Sequence, residues 1–345
     1  AGPNQVSEFG SPDCLNVVFD SYGSVGTRNG CSVLNTATIG TAPVDGLATY
    51  NGSMIAWVGG NMYRASGTSF FTIPSGQSQF ASGVNIATVV YQQVLFCSDG
   101  NVAYRYEADT NLYQMGIPIP SAPTGATNSP TAVGAGLENG TYFYKVSYLN
   151  THVVEGQIGS ASVGVTVNTA AAAQVVVVSS IPTGQVSHGA AQRFIYRASG
   201  NTAANVYRYV GTLANNVASI FTDTAGAATW AVGAAAITDG TAPTPFTTIR
   251  EHKDTLFFDD KSDRSILRYT NYRNPYVSPA VNFINMNKGD GAFITAVAVQ
   301  DDLVSIFKQA SIWVLALTTP SDASTWKWQK TPGNVGIVGP KAFAE

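Results

Sequence analysis

The sequence predicts an all-β protein with a β-propeller-like platform that carries an inserted β-sandwich. Three observations support this fold class. Short β-branched and aromatic runs lie between turn residues, helix signals are scarce, and one strand–turn–strand pattern recurs. The 345 residues include 34 glycines and 16 prolines, and no long segment keeps the apolar i, i+3, i+4, i+7 spacing of an amphipathic helix.

Strand-like runs occur from one end of the chain to the other. They are LNVVF (15–19), SMIAWV (53–58), NIATVVY (85–91), TYFYKVSYL (141–149), VGVTV (163–167), QVVVV (174–178), RFIYRA (193–198), TLFFDD (255–260) and FITAVAV (293–299). Each is rich in Val, Ile, Tyr, Phe or Thr, which is typical of strands.

Four segments share a polar lead-in, an apolar strand, a turn and a second strand with an aromatic residue near its middle. They are YNGSMIAWVGGNMYRAS (50–66), YQQVLFCSDGNVAYRYE (91–107), EHKDTLFFDDKSDRSILRYT (251–270) and VQDDLVSIFKQASIWVLAL (299–317). The first two begin 41 residues apart, at 50 and 91, and the last two 48 apart, at 251 and 299. Blades of a β-propeller repeat every roughly 40 to 50 residues. A β-sandwich with repeated hairpins is the alternative.

Two proline-rich linkers, IPIPSAPTG (117–125) and DGTAPTPF (239–246), bound a stretch of short alternating strands. We predict that residues 1–120 form the first part of the platform, 121–246 an inserted β-sandwich of the fibronectin or immunoglobulin kind, and 247–345 the second part. Without the insert, the second and third repeats lie about one blade period apart, which favours insertion over simple concatenation.

Charge is sparse. Only 11% of residues are charged, against about 25% in typical domains. The net charge of −3 and 18 Lys plus Arg give no basic field for nucleic acid, which argues against DNA or RNA binding as the main role. No apolar run approaches about 18 residues, so we predict no membrane span. The first residues, AGPNQVSEFG, lack the features of a secretion signal, and a soluble protein is expected.

Candidate metal ligands are few. Cys14, Cys31 and Cys97 are too scattered for a zinc site, and we predict reduced, buried cysteines, with a Cys14–Cys31 bridge as the alternative. His152 and His188 lie in turn-like contexts and are predicted to be loop residues rather than ligands. The third histidine, at position 252, has no partner at ligand spacing. The sequence therefore predicts no metal site and no cofactor.

Carboxylates are the candidates for catalysis, because a propeller can host a glycosidase with two acidic residues. The candidates are Asp254, Asp259, Asp260, Asp263, Asp290, Asp301 and Asp302. Positions 259, 260 and 263 fall in a polar loop between two apolar strands, and position 290 in a Gly-Asp-Gly corner, where Asp bonds nearby backbone N–H groups. We predict turn formers, no catalytic residue and no enzyme.

Aromatic residues raise the question of ligand stacking. Tyr-Arg neighbours occur at Tyr63-Arg64, Tyr104-Arg105, Tyr196-Arg197 and Tyr207-Arg208. Adjacent strand residues point to opposite faces, so we predict a core-facing Tyr beside a solvent-facing Arg in each pair. Five tryptophans are present: Trp57, Trp230, Trp313, Trp326 and Trp328. Most are predicted to pack in the core.

The stretch DDLVSIFKQASIWVL (301–315) has the carboxylate and lysine order of some metal-dependent nucleases. Such a site would need an acid two places before the lysine, and that position is Ile306. We therefore predict a strand over 303–307, a turn over 308–311 and a return strand over 312–315. Asp301 and Asp302 correspond to the lead-in residues Asn51 and Gly52 of the first repeat.

The opening SPDCLNVVFDSYGSVGTRNG (11–30), the segments GTYFYKVSYLN and RFIYRASG, and above all residues 249–315 resemble the tail hub or nozzle (tail tubular) proteins of short-tailed bacteriophages. The resemblance implies a structural virion protein, assembled in the host cytoplasm and located in the tail. Its copies would form a homo-oligomeric ring, usually a hexamer, that docks on the head–tail adaptor, carries tail fibres and extends the DNA exit channel.

Within such a channel, genomic DNA would pass without specific binding. Hubs of that family continue through further strands beyond the fourth repeat. We therefore expect a fragment, a short variant, or a ring completed with help from a neighbour. Two other functions stay open: a receptor- or carbohydrate-binding propeller of the adhesin kind, with Tyr and Trp as stacking surfaces, and a glycan-cleaving propeller enzyme that uses two of the aspartates.

Overall fold

The computed structural model describes residues 17–19, 25–27, 39–67, 69–73, 79–107, 112–130, 136–168, 174–184, 189–199, 206–226, 233–290 and 292–339. These ranges form antiparallel sheets and their connections, together with one 3-10 turn at Ala323–Thr325. The predicted all-β class is confirmed. No helix in these ranges is long and apolar enough to cross a membrane.

Within the described ranges, the platform contains four blades, each a four-stranded sheet whose strands follow one another in chain order. A separate pair, β1 (Val17–Phe19) and β2 (Val25–Thr27), precedes them. Blade 1 contains β3 (Val44–Tyr50), β4 (Ser53–Val58), β5 (Asn61–Ser66) and β6 (Ser69–Ile73). Blade 2 contains β7 (Ala87–Tyr91), β8 (Val94–Ser98), β9 (Ala103–Tyr106) and β10 (Leu112–Gln114).

Blades 3 and 4 follow the insert. Blade 3 contains β18 (Ile249–His252), β19 (Thr255–Asp259), β20 (Ile266–Tyr269) and β21 (Phe283–Asn285). Blade 4 contains β22 (Ile294–Gln300), β23 (Leu303–Lys308), β24 (Ile312–Ala316) and β25 (Lys327–Lys330). The end of the first strand, the whole second strand and the third strand of each blade coincide with one of the four sequence repeats.

Strands inside the stack are buried on both faces, because each inner blade has a neighbour on either side. In β8, Leu95 and Cys97 pack in a core shared with blade 1. The alternate residues, Val94 and Phe96, pack in a core shared with blade 3. Successive strand residues point to opposite faces. One continuous apolar run can therefore fill two cores, which explains why VLFCS lacks the usual polar alternation.

The blades meet along their first strands. β7 contacts both β3 and β18, and β22 contacts β18 and β19. First strands that lie side by side are characteristic of the inner wall of a propeller. A third core then joins blades 3 and 4, and it includes Phe257, Leu267, Ile284, Ile294, Val304, Ile306 and Leu315. The predicted propeller-like platform is confirmed.

The insert folds as two facing sheets. One contains β11 (Gly125–Pro130), β14 (Gln174–Ser179) and β17 (Phe221–Asp223). The other contains β13 (Val165–Val167), β12 (Gly140–Asn150), β15 (Ala190–Ser199) and β16 (Arg208–Leu213). Both sheets contribute to one core, which includes Tyr144, Val146, Val165, Val176, Val178 and Ile195. The inserted β-sandwich is confirmed, whereas its boundaries at 121 and 246 stay a prediction.

The sandwich sits between the last strand of blade 2 and the first strand of blade 3. A connection at this point already leads from the outer edge of one blade to the inner edge of the next, so an insertion interrupts no sheet. The loop after β12 anchors the sandwich on the platform. The His152 ring stacks on Tyr276 with centroids 5.7 Å apart, and its Nε2 lies 3.2 Å from Glu107 Oε1.

Candidate functional site: an assembly interface

The candidate aspartates are held in separate structural contacts. Asp259 is fully buried at the end of β19, and it accepts hydrogen bonds from Thr247 N and Oγ1, both at 2.7 Å, and from Thr248 N at 2.9 Å. Burial raises the pKa of Asp259 despite these donors. The carboxyl group fixes the chain where it enters blade 3.

Asp260 and Asp263 stabilise the loop between β19 and β20, as the sequence predicts. Arg268 Nε donates to Asp260 at 2.6 Å, and Ser262 donates to the same carboxylate. Burial raises the pKa of Asp260, but these hydrogen bonds outweigh it and hold the pKa below its ordinary value. Asp263 accepts from Lys288 Nζ at 2.5 Å, and this hydrogen bond lowers its pKa.

Asp290 forms an ion pair that connects blades 3 and 4. Lys308 Nζ donates to both of its carboxylate oxygens, at 2.6 and 2.7 Å, and to Met286 O at 2.7 Å. The Lys308 side chain is fully buried and ends β23, so the turn begins one residue later than predicted. The nuclease-like lysine is thus a packing residue.

The remaining candidates, Asp254, Asp301 and Asp302, lie in the tight turns between the first two strands of blades 3 and 4. Among the described residues, no group of three or more His, Cys, Asp or Glu side chains could hold a metal ion. The contacts above are structural, and the expectation that the chain is not an enzyme stays a prediction.

The turn after the first strand has the same length in all four blades. It contains two residues, and its first residue has a positive φ in each blade: Asn51 at 46°, Gln92 at 49°, Lys253 at 47° and Asp301 at 50°. Its second residue also has a positive φ in blades 1 to 3 but not in blade 4. Such turns match the right-handed twist of the strands that they join. The predicted equivalence of the lead-in residues therefore corresponds to turns of equal length with a left-handed first residue, and blade 4 departs from the others at Asp302.

In blades 1, 2 and 3, the side chain that precedes the turn contacts the turn of the following blade. Tyr50 Oη, in blade 1, donates to Gln93 O at 2.5 Å. Tyr91 Oη, in blade 2, donates to Asp254 Oδ1 at 3.1 Å. Both tyrosines immediately precede their turn, and both partners are the second turn residue. The contact therefore repeats at equivalent positions, and burial next to Asp254 raises the pKa of Tyr91 to about 12.

His252 makes the same contact from blade 3 to blade 4. Its Nε2 lies 3.3 Å from Asp302 O. A carbonyl oxygen only accepts, so Nε2 carries the proton. Burial lowers the pKa of His252, which leaves the ring neutral near pH 7. We call these three contacts the turn ladder.

Gln300 occupies the ladder position in blade 4 and is exposed. Sequence reasoning missed the ladder, although a signal was present. The four repeats contain Tyr-Asn-Gly, Tyr-Gln-Gln, His-Lys-Asp and Gln-Asp-Asp at corresponding positions, so each donor directly precedes its turn pair.

Each blade has a forward face, toward the following blade, and a rear face, toward the preceding one. The first and third residues after the turn point forward, as Val94 and Phe96 do in blade 2. In blade 4 these positions are Leu303, which is 39% exposed, and Ser305. The forward face of blade 4 comprises Leu303, Ser305, Phe307, Ile312 and Val314, all outside the core with blade 3 and all partly or largely exposed.

The rear face of blade 1 is the counterpart at the other end of the stack. It comprises Val44, Leu47, Met54, Ala56 and Val58. Val44 is 60% exposed, Leu47 62% and Met54 40%. Ala56 and Val58 are buried, and Val58 lies close to Gly40. Both ends of the stack therefore present apolar side chains to solvent.

The Tyr-Arg prediction is wrong for two of the four pairs. Arg105 and Arg197 do not face solvent but are 0% and 1% exposed. Arg105 donates to Glu107 Oε1 at 2.7 Å beneath the sandwich junction, and Arg197 donates to Asp223 Oδ2 at 2.7 Å within the sandwich. Each arginine has a carboxylate partner, which offsets the cost of burying its charge.

Tryptophans and cysteines follow the sequence prediction in part. Trp57 and Trp326 are core residues, Trp313 packs against the core, and Trp328 is 46% exposed. Cys97 is a buried, free cysteine. Four predictions fall on residues outside the described ranges: Cys14, Cys31, His188 and Trp230.

A hollow of about 110 Å³ lies at the rim between blades 3 and 4, beside Tyr269, Tyr272 and Trp326. Ligand pockets commonly enclose about 300–1,000 Å³. The hollow is smaller than a typical ligand pocket. It therefore gives no support to carbohydrate binding.

No protein-family model matches the chain, and no curated protein matches it in sequence. The solved structure of the computationally designed Ika8 protein has 9% identity and a TM-score of 0.28, over 89% of this chain and 79% of that one. The extracellular domain of BT4673 from B. thetaiotaomicron has 11% identity and a TM-score of 0.26, over 93% and 42%. AztD from Citrobacter koseri has 11% identity and a TM-score of 0.23, over 86% and 73%. Similarities at these TM-scores assign neither a family nor a function to the chain.

Proposed function

We propose that this protein is a structural virion protein, the tail hub or nozzle of a short-tailed bacteriophage. Its copies form a ring that docks on the head–tail adaptor, extends the DNA exit channel and carries tail fibres. The observation that carries the proposal is the apolar surface at both ends of the blade stack. An inner blade buries both of its faces, whereas Leu47 and Leu303 on the terminal faces are 62% and 39% exposed.

Large exposed apolar surfaces on soluble proteins mark interaction sites. Two different complementary surfaces on one chain produce head-to-tail contacts, which close into a ring when the rotation permits. The low content of Lys and Arg, 18 in 345 residues, suits a channel wall. Each phosphate neutralised by a cation would anchor DNA in a salt-sensitive manner, and few cations leave DNA free to slide.

Quantitative mass spectrometry of purified tailed particles tests this role. We expect peptides of this chain in the particles, copurifying with portal and adaptor, in a fixed ratio to the adaptor that matches a ring. Absence of the chain from purified particles of the phage whose genome encodes it would contradict the proposal. Particles from a knockout of the gene are the control, and they should retain filled heads but lack functional tails.

A further inference from the structure

We propose that the forward face of blade 4 binds the rear face of blade 1 in a second copy of this chain, with Gln300 as the next step of the turn ladder. This inference rests on the proposed ring and names the surfaces that close it. The occupant is a second copy because the contact continues an interface that already occurs three times within one chain.

The turn ladder predicts which turn of the second copy lies next to Gln300. In each internal step, the residue before a turn contacts the second turn residue of the following blade: Tyr50 with Gln93, Tyr91 with Asp254, and His252 with Asp302. Two of the three acceptors are backbone carbonyls. The residue that precedes the turn of blade 4 is Gln300.

The equivalent acceptor on a second copy is Gly52, the second turn residue of blade 1. Gly52 has a φ of 71°, and a Cβ built on it would meet no atom within 4 Å, so the turn is open to an approaching chain. A glutamine amide donates as the Tyr and His side chains do. The Gln300 amide would donate to the Gly52 carbonyl.

Side-chain positions on the two faces agree with this arrangement. Between blades 2 and 3, Val94 packs forward one residue after its turn, and Leu256 packs rearward two residues after its turn, in the same core. The equivalent residues on the open faces are Leu303, 39% exposed, and Met54, 40% exposed. Both are apolar, as at the internal interfaces, and neither face places a charge at these positions.

Cysteine cross-linking between two differently labelled copies tests the pairing. Cys14→Ser and Cys31→Ser remove the other two native cysteines from the background. Cys97 is kept because it is buried. One preparation carries Met54→Cys and the other Leu303→Cys. The two are mixed under assembly conditions and treated with a short bis-maleimide, and the cross-linked peptides are identified by mass spectrometry. We expect a 54–303 cross-link between copies.

The matched control replaces Leu303→Cys with Val163→Cys, a position in the sandwich that is 80% exposed and lies off both faces. We expect at least a tenfold lower yield with Met54→Cys. Mass photometry of uncross-linked samples reports the ring separately. We expect Leu303→Asp to lose the ring while it keeps its melting temperature within a few degrees, and Gln300→Ala to weaken assembly.

Three outcomes are distinguishable. The 54–303 cross-link together with loss of the ring in Leu303→Asp supports the inference. A ring without the cross-link, or one that survives Leu303→Asp, overturns the inference and leaves the proposed function intact. A chain that stays monomeric at every concentration overturns both.

Discussion

At the residue scale, a buried lysine and a corner aspartate connect the last two blades. Lys308 is 0% exposed, and its ammonium contacts both oxygens of Asp290 and the Met286 carbonyl. An isolated charge in such a position is unfavourable, because the ammonium loses its hydration. The ion pair is therefore a condition for the packing of blade 4 on blade 3.

We expect Asp290→Asn to destabilise the fold by about 1–3 kcal/mol, since it leaves the fully buried Lys308 ammonium without the charge of its partly exposed partner. Asp263→Asn is the control. It removes an ion pair with Lys288, whose side chain is 63% exposed, and exposed pairs contribute about 0–1 kcal/mol. Urea unfolding measures both. Equal losses in the two variants would contradict the role of Lys308.

Acid provides a second measurement on the same pair. Burial raises the pKa of Asp290, but the hydrogen bonds from Lys308 outweigh it and hold the pKa below its ordinary value. The stabilisation is therefore complete above the unfolded pKa of about 3.9 and is lost as the pH falls through the lower folded pKa. In Asp290→Asn, the free energy of unfolding should lack the part of its acid-induced decrease that comes from protonation of Asp290.

At the scale of elements, the inner hairpin turn is the recurring unit. Four turns share a left-handed first residue, and two use glutamine or lysine there rather than glycine or asparagine. A left-handed backbone is unfavourable for residues with a Cβ. The turns of blades 2, 3 and 4 each accept a ladder contact from the preceding blade, which helps to hold them in place.

Gln93→Gly should stabilise the protein by about 0.5 kcal/mol. Gln93 has a φ of 60°. Relief of about 1–2 kcal/mol of left-handed strain is offset by about 0.5–1 kcal/mol of added unfolded-state entropy. The contact from Tyr50 is to the backbone carbonyl, so it is retained.

Gln329→Gly is the matched control, because Gln329 lies in the exposed strand β25 and lacks a positive φ. It should cost about 0.5–1 kcal/mol. Chemical denaturation of both variants gives the comparison. A loss of stability in Gln93→Gly as large as that in Gln329→Gly would show that the turn carries no strain.

Local patterns in the sequence were sufficient to predict the second and third strands of each blade, the four repeats and the sandwich between them, but not the outer strands β6, β10, β21 and β25. An apolar strand context also placed Trp57 in the core, and side-chain alternation was used for the Tyr-Arg pairs. It failed for Arg105 and Arg197, because alternation assigns a residue to a face but does not say whether that face meets solvent or another element. The same limit applies to the open faces, since Val94 and Leu303 are both apolar and occupy equivalent positions, yet Val94 is 1% exposed and Leu303 is 39% exposed.

At the scale of the whole molecule, the part of the platform that the structure describes is a stack of four blades with unlike apolar ends. At each of the three internal interfaces, the forward face of one blade packs against the rear face of the next. The exposed residues Leu47 and Leu303 lie on the two faces that no described blade covers. In the proposed ring, the forward face of blade 4 would pack against the rear face of blade 1 in the next copy. The central claim is that this assembly closes into a ring.

Electron microscopy of the purified chain tests that claim most directly. We predict rings of uniform order with a central channel, in which blade 4 of each copy lies against blade 1 of the next. Monomeric particles in which blade 4 packs against blade 1 of the same chain would contradict the account.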